Sequence, residues 1–184
     1  MTVWYILAGI VVLAILWLIG TYNGLVQLRN RTDEAWSDID VQAKRRYDLI
    51  PNLIETVKGY AAHETKAFDA VSQARSAAMG AQSPEAKGQA ENMLTAALKT
   101  VIAVAEAYPD LKASANFSKL QDELSDTENK MEASRRFYNG NVRDLNTKIQ
   151  QFPTNMIAGS LGMKSREFFE IENDAERKPV AVKF

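Results

Sequence analysis

From Val3 to Ile19 every position is apolar or glycine, and no charged side chain appears before Arg29. The uncharged stretch continues through Gly20, Thr21 and Tyr22. About 20 helical residues at ~1.5 Å rise span ~30 Å, the thickness of a bilayer's hydrocarbon core. Trp4 and Tyr5 stand at one end of the run, Trp17 and Tyr22 near the other. An indole or phenol in such a place keeps its ring in apolar surroundings and its polar atom in water, which predicts that these four mark the membrane interfaces. Residues 1–22 therefore read as a transmembrane anchor. A cleaved signal peptide fits less well: residues 1–5 hold no Lys or Arg, Ile19-Gly20-Thr21-Tyr22 is a poor cleavage site, and there is no Cys for lipoprotein processing.

Beyond the anchor the apolar positions change period. Leu25, Leu28, Ala35, Trp36, Ile39, Ala43, Tyr47, Ile50, Ile54 and Val57 recur mostly at steps of three and four, the repeat of one helix face. The pattern predicts one very long helix from 23 to about 78, or two nearly coaxial ones. Pro51 lacks the amide that would bond the carbonyl of Tyr47, so a kink or split is expected there. Ser83-Pro84-Glu85 opens a second helix with a capping hydroxyl, a first-turn proline and an acid at the positive end of the dipole. It runs to about Ala107, and Pro109 stops it. Asn116 is placed to cap a third helix, whose stripe from Phe117 through Leu124, Met131, Tyr138 and Leu145 to Ile149 ends at Phe152-Pro153. Thr154 is expected to cap a short turn over 155–160.

The predicted fold is all-α. A transmembrane helix continues into an up-and-down antiparallel bundle of three long helices over 23–160, followed by a tail, 161–184, that is partly extended or disordered. Such a bundle would be a rod with much lateral surface.

Net charge is −1 and there is no basic groove or tail, so nucleic acid is not an expected partner. The absence of Cys removes disulfides, thiolate metal sites and a Cys nucleophile. His63-Glu64 resembles the start of a zinc-protease helix, but position 67 is Ala and this is the chain's one His. Asp38 and Asp40 point to different sides of a helix and cannot share a proton or an ion. No catalytic, metal or cofactor residue is assigned, and no cofactor is expected. The basic runs Lys44-Arg45-Arg46 and Arg135-Arg136 read first as ion-paired, since acids lie within helical reach, and second as binders of lipid head groups.

Several blocks in one order resemble the LemA family. They are Tyr22-Asn23-Gly24-Leu25-Val26-Gln27-Leu28-Arg29-Asn30, Ala35-Trp36-Ser37-Asp38-Ile39, Arg46-Tyr47-Asp48-Leu49-Ile50-Pro51-Asn52-Leu53, Ala105-Glu106-Ala107-Tyr108-Pro109, and Arg135-Arg136-Phe137-Tyr138-Asn139 with Phe152-Pro153. Small departures stand at Ala43, Met131 and Leu145. The resemblance implies a single-pass bacterial membrane protein with a helical bundle and no assigned reaction; some relatives are associated with magnetosome membranes.

Two functions follow as expectations. One is a non-enzymatic scaffold of the bacterial inner membrane that shapes it by homo-oligomerising, with Leu25, Leu28, Trp36 and Ile39 at the contact between copies. The other is a tethered sensor or adaptor for an unknown protein or peptide. Arg29 and Arg31, following the anchor, place the bundle on the cytoplasmic side.

Overall fold

The computed structural model describes residues 1–169. They are helical without a strand: α1 (Thr2–Lys58), α2 (Thr65–Gly80), α3 (Pro84–Glu106), α4 (Pro109–Lys112), α5 (Ala115–Gln150) and α6 (Asn155–Ala158). The all-α class and the helical bundle stand. Residues 170–184, most of the expected tail, lie outside the described residues.

The sequence accounts for most of the boundaries. The Ser83 hydroxyl accepts from the Ala86 amide at 3.2 Å, with Pro84 in the first turn, so α3 starts as predicted. Tyr108, ahead of Pro109, is extended, because the proline ring disfavours helical geometry in the residue before it. Pro109 then opens the short α4 rather than a plain loop. Asn116 is not a cap: α5 begins at Ala115. Thr154 makes no capping bond either; its side chain is buried. The Phe152-Pro153 peptide is cis.

The largest departure is at residues 59–64. α1 runs unbroken through Pro51 to Lys58, so it is not split at the proline. The chain turns instead through Gly59-Tyr60-Ala61, wound by the Tyr60 and Ala61 amides on the Val57 carbonyl. α2 then doubles back along α1: the Lys58 ammonium lies 5.8 Å from the Phe68 ring centroid, and Arg75 reaches Tyr47. A stripe expected to continue in line to about residue 78 is therefore a hairpin, which adds a fourth long helix.

The chain forms two compact units. The first comprises Met1–Ile39 and Ser134–Glu167. Every residue of α1 up to Gly20 is exposed, and its first buried side chain is Thr21. Leu25 then packs with Leu145, Ala158 and Met163, flanked by Leu28 and Ile149. Trp36 meets Tyr138 with ring centroids 5.4 Å apart. Residues 163–167 are neither helix nor strand but are held to α5. The Asn146 side chain bonds both the amide and the carbonyl of Arg166, and the Tyr138 hydroxyl donates to the Glu167 carbonyl. Arg166 also pairs with Asp33 at 2.8 Å. The second unit is Asp40–Ala133 with Phe168 and Phe169 among the described residues. Its core includes Ile50, Leu53, Val71, Leu94, Val101 and Leu111, all fully buried.

Candidate functional site

In the second unit the apolar stripe of α1 is interrupted by a charge. Arg46 follows Ala43 by three residues and precedes Ile50 by four, so it faces the core, where it is 3 % exposed. On α3, Glu91 interrupts the stripe from Lys87 to Leu94 in the same way and is 2 % exposed. The two meet: Arg46 Nη1 donates to Glu91 Oε2 at 3.0 Å. Arg46 Nη2 donates to Thr95 Oγ1 at 2.9 Å and to Glu128 Oε2 of α5 at 3.1 Å. One guanidinium thus ties three helices. The Tyr47 hydroxyl donates to the other Glu91 oxygen, and Lys87 pairs with Asp40 beside the cluster. Burial, and then the bond to Glu91, push the Tyr47 phenol well above its ordinary pKa, so it stays a neutral donor.

A neighbouring bond deals with Pro51. The proline cannot donate to the Tyr47 carbonyl; Arg75 Nε of α2 does so at 2.8 Å. Without it the carbonyl would be short of a partner in a partly buried place.

A groove of about 310 Å³ opens beside the cluster, lined by Arg46, Thr95, Leu98, Ile102, Leu124 and Glu128. Arg46 Nε is buried without a partner among the described residues. The arrangement holds α1, α3 and α5 in register. Among the described residues no three His, Asp or Glu side chains are grouped to hold a metal ion. His63, Asp38 and Asp48 are exposed.

Arg45 and Arg46 of the first basic run are ion-paired, with other partners than their near neighbours. Arg45 pairs with Asp126 of α5 at 3.7 Å rather than with Asp48. The Asp126 carboxyl lies below its ordinary pKa, chiefly through a bond from Lys130 and then through the Lys130 and Arg45 charges. α5 meets residues 45–46 at 126–128.

Of the aromatic residues assigned to the membrane interfaces, Trp4, Tyr5, Trp17 and Tyr22 are all exposed. The four residues expected between copies differ in exposure, Leu28 and Trp36 being half-buried. Leu25 and Ile39 are fully buried within the chain, Leu28 packs on the Leu25 cluster, and Trp36 lies against Tyr138. Tyr47 is also buried within the chain.

α1 is long and apolar enough to cross a membrane, which fits a membrane protein. Among known proteins, the chain is 30 % identical over 157 residues to "Protein LemA" of Metamycoplasma hominis, covering 83 % of this chain and 70 % of that one. It is 25 % identical over 189 residues to "Magnetosome protein MamQ 2" of Paramagnetospirillum magneticum and 23 % to "Magnetosome protein MamQ" of Magnetospirillum gryphiswaldense. Each of these two alignments covers 89 % of this chain and 69 % of the relative. None of these names is that of an enzyme. The LemA family model matches residues 35–184, taking in Arg46, Glu91 and Glu128, and the chain belongs to the LemA family.

Proposed function

We propose that this chain is a non-enzymatic, membrane-anchored scaffold that assembles with copies of itself in the bacterial cell membrane and helps to shape it. The observation that carries the reading is the junction at residues 20–25. A bare apolar helix passes with no linker into a packed core at Thr21 and Leu25. A span joined in this way transmits force between bilayer and bundle, whereas a flexible tether would not. The relatives named as magnetosome proteins support a structural role. Leu25 and Ile39 are buried and Leu28 and Trp36 half-buried within the chain, so the exposed span offers the larger surface on which copies can meet, where confinement to two dimensions raises their effective concentration. Arg29 and Arg31 favour a cytoplasmic bundle.

The test is the mass of the full-length protein in mild detergent, together with disulfide crosslinking of single cysteines along Val3–Ile19 in membranes. Several copies and a crosslinked dimer are expected. A monomeric mass with no crosslink at any position overturns the scaffold. The groove beside Arg46 favours a second reading in that case, an adaptor that takes up a partner's peptide.

A further inference from the structure

We propose that the turn between α5 and α6 is a second membrane-docking element, with Phe152 and Met156 inserted in the interfacial layer of the bilayer that α1 crosses. The inference rests on the membrane-anchored reading of α1 and concerns only the first unit.

Helix geometry sets the level of this turn. Trp36 lies against Tyr138 and Leu25 packs with Leu145, so α5 approaches the apolar span as its numbering rises. Gln150, the last residue of α5, is five residues past Leu145, or about 7.5 Å of helix. Gly20, the last exposed residue of the span, is five before Leu25, the same distance. α5 therefore ends level with the end of the span. The turn is seated there firmly: Thr154 and Ala158 are buried, Ala158 against Leu25, and Thr21 is buried at the same height.

Seated in this way, the turn leaves two large apolar side chains uncovered. Phe152 is 79 % exposed and Met156 71 %. Charge fits the same occupant. Lys148 and Lys164 flank the turn, and the segment between them has no charge at all. An uncharged apolar tip flanked by basic residues suits the acyl boundary beneath anionic head groups. A two-point attachment follows, in which the span fixes position and the turn fixes the tilt and rotation of the first unit against the bilayer.

The chain has no native Cys, so single cysteines can carry an environment-sensitive fluorophore. Full-length protein with Ile10→Cys, Phe152→Cys, Met156→Cys or Phe137→Cys would be reconstituted in vesicles of phosphatidylcholine and phosphatidylglycerol, with and without nitroxide-bearing lipid. All four positions are exposed, so the variants should keep their helical circular dichroism. Phe137 is the aqueous reference: an exposed aromatic on α5, about 20 Å of helix before the end of α5 at Gln150. The expected result is blue-shifted emission that is lost on nitroxide quenching at Ile10, Phe152 and Met156, and neither effect at Phe137. Quenching at Ile10 without quenching at Phe152 and Met156 overturns the inference and leaves the anchor standing. Blue-shifted but unquenched emission at those two positions also overturns it, because a second copy of the chain would then cover the patch. An unquenched Ile10 overturns the anchor reading and the inference with it.

Discussion

Replacing Arg46 with Met should lower stability by about 3–5 kcal/mol, because Glu91 is then left buried without its cation. Adding Glu91→Leu should recover much of that loss, since a buried ion pair and a well-packed apolar pair of similar volume are often close in energy. Chemical denaturation of the two single variants and the double variant measures the difference; additive losses would show that the two side chains do not act as a pair. The signal for this pair was present in the spacing. Arg46 falls in step with Ile39, Ala43, Ile50 and Leu53, and Glu91 with Lys87, Leu94 and Leu98. Reading Arg46 as one of a run of three basic residues hid its place in the stripe. Its partners on α3 and α5 could not be found from spacing within one helix. The same holds for Asn146, whose bonds to Arg166 span 20 residues.

At the scale of elements, Pro51 and Arg75 form a single device. Arg75→Leu should cost about 1–2 kcal/mol by leaving the Tyr47 carbonyl without a donor. In a Pro51→Ala background the residue-51 amide is restored, and the same Arg75 substitution should cost much less. Thermal melts of the four proteins test this; equal losses in both backgrounds would sink it. Helix class and most ends could be read directly, as at Ser83 and Pro109, because capping and proline chemistry are local. The α1–α2 hairpin could not. Pro51 is the stronger breaker by propensity, but a neighbouring helix supplies its missing bond. Gly59 is a weak local signal, and Tyr60-Ala61-Ala62 has nothing to forbid a helix, so tertiary packing decides the turn.

For the whole molecule, removal of residues 1–20 should leave a soluble protein with the bundle's helical circular dichroism, since no side chain before Thr21 is buried. Aggregation or loss of helicity after that deletion would show that the bundle needs the span in order to fold. The division into two units has a further consequence in time. The first unit is discontinuous: Ser134–Glu167, which covers Thr21–Ile39, is synthesised only after all of Asp40–Ala133. During translation Thr21–Ile39 emerges while the layer that must pack beside it does not yet exist. Thr21–Ile39 thus stands without its covering layer until Ser134–Glu167 has been made, an interval in which only Asp40–Ala133 can pack.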